Sequence, residues 1–363
     1  SPQMLTSLGH VCEAQGDWQA ALDAFDRLLD CRPHDFAARL HRGRMLERLA
    51  RSDEALFAYA RAIRNAQEQG RWVSAETTAP AVQDDVRHAI GFVNRNVSVF
   101  YERAFMPLLQ RYSRADIRRV EAALAMHIGR LPLQYEDPRQ QPTFLYFPGL
   151  PTAPYLPLQD LAWRESLQAS TAAIKAELQA LLPTSSGREA VFHTGDLAQE
   201  NLRGVQQQPP SWNGYYFHRH GEARAGNRAA CPSTSAALDA LPLARIPGHA
   251  PEVLFSVFSP GTHLLPHRGV TNIRLVGHLP LIVPRDCALN VAGEPHAWKE
   301  GEVVVFDDTY EHEAWNRSEH TRVVLIFDLW NPHLTAAERE AVSALVLAIS
   351  DFRKATGLPD AEF

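Results

Sequence analysis

At 363 residues, 45% of them hydrophobic, the chain is long enough to bury two or three separate cores. A formal net charge of −6 excludes a general nucleic-acid-binding surface, and four scattered cysteines with no CxxC pair exclude a zinc knuckle or a disulfide scaffold. No charged-then-apolar signal segment opens the sequence and no apolar run reaches the roughly 18 residues that span a bilayer, so a cytoplasmic protein without a membrane span is expected.

The first 70 residues read as helical and carry a repeat: Gly9, Ala21 and Phe25 recur 34 positions later as Gly43, Ala55 and Tyr59, with Pro33 where the first copy stops. Small residues at such places let paired helices approach, and the aromatic fills the gap beside them. This pattern resembles the tetratricopeptide repeat, in about 1.7 copies, and implies either a docking surface for a protein partner or a spacer. Residues 76–130 keep helical apolar spacing, as in Ile90, Val93, Val97 and Phe100, and carry no chemistry. A Pro-rich stretch from Leu131 to Pro157 marks a boundary, and Trp163 to Leu182 reads as one amphipathic helix.

From about residue 188 the pattern becomes short β-branched runs between Gly, Pro, Asn and Asp turns. The runs are Val253–Phe258, Ile273–Val283, Ala288–Val291, Glu302–Phe306, His312–Trp315 and Arg322–Leu329, and a closing helix spans Thr335 to Phe352. Strands at this spacing indicate a sandwich or jelly roll rather than a βαβ sheet. The expected division is therefore helical repeats at 1–70, a helical linker domain at 71–138, and a β-rich domain at 139–363. The fold class is α+β, with N-terminal α-helical repeats followed by a double-stranded β-helix (jelly-roll) domain.

Chemistry concentrates between Leu254 and Pro332. His267 lies next to a strand start, His312 follows 45 residues later, and Arg322 sits inside a strand ten residues beyond that. In a jelly roll, two histidines separated by several strands can meet at one mouth of the barrel, and an arginine on the last strands points into the same cavity. Two imidazoles with open coordination positions suit iron(II), and a buried guanidinium suits the far carboxylate of a dicarboxylate such as 2-oxoglutarate.

The segments Ser256 to His263, His267 to Leu275, His278-Leu279, Trp298 with Gly301, Phe306 to Trp315, and Arg322 through Trp330-Asn331-Pro332 together resemble the aspartyl/asparaginyl β-hydroxylase family. Tyr146 to Leu150 and Pro232 to Thr234 fit as well, and the likeness covers roughly residues 143–340. The resemblance implies an iron(II)- and 2-oxoglutarate-dependent dioxygenase that hydroxylates a C–H of a peptide or amino-acid side chain. It implies iron ligation by His267 and His312, a grip on the far carboxylate of 2-oxoglutarate by Arg322 with Ser256, and contact of His278 with the carboxylate next to the keto group. The carboxylate that usually follows the first histidine by two is replaced by Gly269, which is itself a trait of this family. Asp308 is the candidate to act there through a bound water, ahead of Asp307, which shapes the turn.

Arg274, Val276 and His278 share one face of their strand because side chains alternate. The peptide hydroxylases of the family carry an arginine at the place of Val276, where it helps hold the acidic target. With valine there, Arg274 is left to hold a substrate carboxylate alone, and a lipid acyl chain or a small molecule competes as substrate. A repeat-plus-barrel interaction protein without catalysis is the alternative of a different class. His218-Arg219-His220 reads as a solvated turn, His263 as a packing residue, and His193, His296 and His320 as exposed. Trp298, Trp315 and Trp330 read as barrel and rim packing.

Overall fold

The computed structural model of the chain describes residues 1–157, 159, 161–184, 187–191, 200–204 and 210–359, which leaves His193 outside the described residues. The chain divides into two compact units, Ser1–Arg111 with the segment that starts at Ala344, and Tyr112–Ser343.

The first unit is helical: α1 (Pro2–Ala14), α2 (Trp18–Cys31), α3 (Phe36–Arg48), α4 (Ser52–Glu68) and α5 (Gln83–Glu102). Ser1, Asp17 and Asp35 start the first three helices by accepting from the backbone N–H of Met4, Ala20 and Ala38. Each oxygen satisfies a donor that the helix itself leaves unpaired. The repeated residues take equivalent contacts. A Cβ on Gly9 would stand 2.7 Å from Phe25 Cζ, and one on Gly43 would stand 2.5 Å from Tyr59 Cδ1. Glycine at both places thus lets a helix lie against an aromatic ring of its neighbour, and Ala21, Phe25, Ala55 and Tyr59 are fully buried there.

The second unit holds helices α6 (Arg118–His127), α7 (Trp163–Ala169), α8 (Thr171–Leu181), α9 (Ala225–Ala230) and α10 (Pro232–Asp239) and two antiparallel sheets. Helix α11 (Ala336–Thr356) closes the chain. The stretch expected as one helix from Trp163 to Leu182 is broken at Ser170, whose hydroxyl donates to the Ser166 carbonyl.

The larger sheet contains β1 (Arg188–Ala190), β3 (Trp212–Arg219), β4 (Glu222–Ala223), β5 (Val253–Phe258), β7 (Arg274–Ile282), β10 (Val304–Phe306) and β12 (Arg322–Trp330). Its order is β1-β3-β5-β12-β7-β10, with β4 hydrogen-bonded to β3. The smaller sheet orders β2 (Leu202–Gly204), β6 (Thr262–His267), β11 (His312–Asn316), β8 (Cys287–Val291) and β9 (Glu294–Ala297).

Neither sheet closes into a barrel, which corrects the expected double-stranded β-helix. Both ladders are open among the described residues: the larger ends on β1 and on β10, whose outer edge meets only an isolated bridge from Tyr155 to Phe306, and the smaller ends on β2 and β9. The physical reason lies in the turns. From β5 to β6, β6 to β7, β7 to β8, β9 to β10, β10 to β11 and β11 to β12 the chain leaves one sheet for the other. Residues held at positive φ, such as Gly261 at 72° and Gly301 at 79°, sit in these crossings and interrupt the ladder.

Period-two alternation splits each central strand between two cores. Val253, Phe255, Val257, Val323, Leu325 and Phe327 pack with Leu167, Ile174, Leu178 and Leu238 of α7, α8 and α10. The alternate residues Phe258, Val276 and Val324 pack with Leu264, Leu289, Val291 and Ala314 of the smaller sheet. Covering both faces explains why β5 reads VLFSVF with no polar rhythm. Polar residues that do occur on the inner face, Ser256, Arg322 and Asp328, are therefore buried between the sheets.

Candidate functional site

A cavity of about 290 Å³ opens between the sheets, and Ser256, His267, Arg274, Val276, His278, Asp308, His312 and Arg322 all line it. Every site residue expected from the sequence is thus in one place. Strand pairing brings the two histidines together: β6 and β11 are antiparallel neighbours, and His267 stands directly opposite His312. Residues opposed in this way bring their side chains into contact. Their ring centroids are 4.1 Å apart at an interplanar angle of 52°.

The two rings are prepared alike. Nδ1 of His267 lies 2.8 Å from the Leu265 carbonyl oxygen, and Nδ1 of His312 lies 3.0 Å from that of Tyr310. A carbonyl can only accept, so each Nδ1 carries the proton and each Nε2 keeps its lone pair. Burial lowers the pKa of both imidazoles, that of His312 to about 3 with His267 adding to the effect. Both rings are neutral and ready to ligate at physiological pH.

Gly269 explains where a carboxylate can stand. A Cβ there would fall 2.1 Å from Asp308 Cγ and 2.2 and 2.3 Å from its two oxygens, so the Asp308 carboxylate occupies the space a side chain at 269 would fill. The Gly269 N–H donates to the Asp308 carbonyl at 2.6 Å and fixes the approach. Asp308 Oδ2 is 3.2 Å from Arg274 Nη2, while its buried Oδ1 has no hydrogen-bond partner among the described residues. Burial pushes the Asp308 carboxyl up to about 7 against the pull of Arg274. Asp307 has the turn-forming role expected of it: Oδ1 accepts from the Thr309 N–H and hydroxyl, and Oδ2 from Gln140 Nε2.

At the other end Arg322 is 1% exposed. Its guanidinium lies 3.8 Å from the ring centre of Phe258 and 4.6 Å from that of Trp298, and Nη1 donates to Ser256 Oγ at 3.3 Å. No carboxylate pairs with it among the described residues, and burial pulls its pKa down to about 9. Three buried polar atoms nearby, Arg322 Nε, His278 Nδ1 and Trp298 Nε1, have no hydrogen-bond partner among the described residues. Unpaired buried donors are costly, so a group of such atoms marks a place made for a polar ligand. Trp298 was expected as packing alone; its ring does pack, but its N–H belongs to this group.

Two acidic residues escaped the sequence reading. Asp328 Oδ1 accepts from Arg274 Nη1 at 3.0 Å, and Glu252 lines the same end of the cavity. Alternation from Arg322 through Val324 and Ile326 places Asp328 on the inner face and is the signal that finds it. Glu252 precedes its strand and left no such signal. His218 and Arg219, expected in a solvated turn, are 3% and 6% exposed, because this end of β3 is paired with β4 and β5 and β3 is covered by α9. His263 pairs with Glu313 at 2.7 Å, outside the cavity.

In the helical unit, His10, Glu13 and His41 hold side-chain N and O atoms of the kind that can ligate a metal within 4.8 Å of one another. No helix among the described residues is long and apolar enough to cross a membrane.

Comparison with known proteins points the same way as the cavity. The family model described as "Aspartyl/Asparaginyl beta-hydroxylase" matches residues 168–332. The chain is 31% identical over 202 residues to human "Aspartyl/asparaginyl beta-hydroxylase", covering 54% of this chain and 25% of that protein. It is 32% identical over 237 residues to rat "Aspartate beta-hydroxylase domain-containing protein 2", covering 64% and 66%. It is also 35% identical over 182 residues to "Ornithine lipid ester-linked acyl 2-hydroxylase" of Rhizobium tropici, covering 48% and 61%. The chain thus spans between a quarter and two thirds of these relatives.

Proposed function

We propose, from the premise that residues 168–332 belong to the aspartyl/asparaginyl β-hydroxylase family, that this chain is an iron(II)- and 2-oxoglutarate-dependent hydroxylase. The observation that carries the proposal is the cavity with two unlike ends. One holds paired neutral imidazoles with free Nε2 lone pairs, and the other holds a buried guanidinium that no carboxylate among the described residues pairs with.

The donor set fits the two groups. His267 and His312 would ligate iron(II), for which two imidazoles with further positions open are suited. Arg322 and Ser256 would hold the far carboxylate of 2-oxoglutarate, and His278, with its unpartnered Nδ1, the end next to the keto group. When bound, iron(II) would activate dioxygen, and 2-oxoglutarate, oxidised to succinate and carbon dioxide, would supply two of the electrons that reduce it, so that the second oxygen atom can hydroxylate an unactivated C–H. Asp308, whose Oδ1 is free while Oδ2 is held by Arg274, would orient a water beside the histidines rather than ligate directly. Leu254, Val276, Phe306 and Ile326 line the wall between and keep bulk water from the reacting carbon.

The substrate is proposed as a peptide or amino-acid side chain. A second reading, a lipid acyl chain or other neutral molecule, is favoured by one feature: Arg274 is already bound to Asp308 and Asp328, and Val276 offers no charge. The relative from Rhizobium tropici is named for such an acyl substrate. The helix pairs within 1–70 are proposed as tetratricopeptide-like repeats that dock a protein partner, the division at 70 and 138 as the domain plan, and the cytoplasm as the location.

Conversion of 2-oxoglutarate to succinate, measured with and without iron(II) and without added substrate, tests the activity. Turnover is expected only with iron(II), and His267→Ala or Arg322→Ala should abolish it; wild-type rates in both variants would remove the proposal. Mass spectrometry of aspartyl and asparaginyl peptides against acyl-chain substrates then separates the two substrate readings by a gain of one oxygen atom.

A further inference from the structure

We infer that Arg39, Arg61 and Arg64, with Arg42 beside them, form an oxyanion site in the helical unit that takes a phosphate group, either free or carried as a monoester. Helices α3 and α4 are joined by only three residues and therefore run antiparallel, with Gly43 against Tyr59. Arg39 stands one turn earlier on α3, and the matching turn beyond Tyr59 on α4 carries Arg61 and Arg64. The segment that returns to this unit, through Thr356 and Gly357, meets both arginines of α4. Arg64 Nη2 donates to the Thr356 and Gly357 carbonyls at 2.7 and 3.3 Å, and a Cβ on Gly357 would stand 2.9 Å from Arg61 Cζ. Arg39 Nη2 donates to the Pro33 carbonyl at 2.5 Å.

These carbonyls fix the guanidiniums without neutralising them. Arg39 is 8% exposed, yet its Nε has no hydrogen-bond partner among the described residues. The same holds for three further buried atoms, Arg61 Nε, Arg64 Nε and Arg64 Nη1. Carboxylates are too few to serve them. Asp26 Oδ1 is taken by Arg42 Nε at 2.6 Å, and the well-exposed Glu68 holds its Oε1 3.4 Å from Arg64 Nε without a hydrogen bond. Four guanidiniums thus share two carboxylates, and Arg353 is a fifth positive charge near Arg64. Burial first, and then Arg61, Arg42 and Arg64, pull the pKa of Arg39 down to about 10 against Asp26. Crowded cations with orphaned N–H donors are costly until an anion arrives. Guanidinium forks match phosphate oxygens two at a time. A tetrahedral dianion suits the cluster better than a carboxylate, because it offsets two surplus charges and offers oxygens outside a single plane to donors from three side chains. Arg42 and Arg64 are only partly buried, which leaves the cluster a way to solvent.

The test uses the full chain in an Arg322→Met background, so that the cavity between the sheets cannot take the anion. Inorganic phosphate is titrated by calorimetry and by melting temperature, with chloride and acetate at matched ionic strength as controls. One equivalent of phosphate is expected to bind and to raise the melting temperature, and neither control should do so. Adding Arg39→Met or Arg61→Met should weaken phosphate binding by about tenfold or more. Arg61 is partly exposed, so circular dichroism should find that variant folded. Arg87→Met, which removes a well-exposed charge of α5, should leave the affinity unchanged. Glycerol 3-phosphate in place of inorganic phosphate then tells a monoester from the free ion by which binds more tightly. Absence of saturable phosphate binding in the background protein, binding untouched by Arg39→Met and Arg61→Met, or an equal loss in Arg87→Met would overturn the inference. Because the assay never reads hydroxylation, either result leaves the proposed activity to its own test.

Discussion

Two arginines face one cavity and are held in opposite ways. Arg274 is clamped between Asp308 and Asp328 at 3.2 and 3.0 Å, and the two carboxylates raise its pKa against the lowering effect of burial. Arg322, no less buried, rests on two aromatic rings and a hydroxyl, and burial lowers its pKa. A buried cation that already has its counter-charges is part of the scaffold. One that lacks them gives up stability until an anion arrives. The difference separates the end of the cavity that holds itself together from the end that awaits a ligand.

Methionine at each position breaks or confirms that contrast. Arg322→Met is expected to lower kcat/KM for 2-oxoglutarate by roughly 100- to 1000-fold, the equivalent of about 3–4 kcal/mol, and to leave the urea midpoint unchanged or higher. Arg274→Met strands two buried carboxylates and is expected to cost about 3–5 kcal/mol of stability. Reversed outcomes, with Arg322→Met unfolding the protein and Arg274→Met harmless, would mean that the two ends have been assigned the wrong way round.

Gly269 sharpens the contrast from the other side of the Arg274 clamp. A methyl group there collides with the Asp308 carboxylate at 2.1–2.3 Å, and such overpacking costs about 1–3 kcal/mol. Gly269→Ala should therefore lose stability and 2-oxoglutarate turnover together, as Asp308 is pushed off Arg274. In Gly269→Ala/Asp308→Ala the collision is gone, so denaturant unfolding should show less than the sum of the two single losses. Simple additivity would mean that the two side chains do not compete for one space.

Much of this site was legible in the sequence, and the parts that were not share a cause. His267, His312 and Arg322 could be read because their neighbours set the strand ends and the face. Val253–Phe258 was read with its bounds correct. The strand Thr262–His267 was missed: two turn-forming residues precede it, Pro266 lies within it, and it pairs with β2 and β11, both far from it in sequence. The charge and glycine around His218 suggest a solvated turn, whereas pairing with β4 and β5 buries it. The closed barrel was expected from strand spacing alone. Spacing fixes how often the chain turns, but not whether the hydrogen-bond ladder continues through each turn, and here it does not.

Glu252 tests the acidic end of the cavity by pH, with the smallest effect. Burial, with Asp328 adding, raises its carboxyl from 4.5 to about 8, against the His220 N–H, Arg219 and Arg274, which lower it. His220 Nδ1 also faces it at 3.2 Å. A group whose folded pKa lies above its unfolded one stabilises the fold fully below the unfolded value, and that contribution is lost as pH rises through the folded value. The wild-type protein should thus lose stability between pH 4.5 and about 8 through this residue. Asp308 and Asp328, also raised, add losses of the same sign. Glu252→Gln keeps an acceptor for the His220 N–H and removes only the ionisation, so the difference between the two urea-midpoint profiles isolates it. That difference is expected to grow by on the order of 2 kcal/mol from pH 5 to pH 8, in favour of the glutamine variant. Parallel profiles would mean that Glu252 ionises at this end of the cavity as freely as it does in the unfolded chain, and that the cavity mouth is wetter than its burial implies.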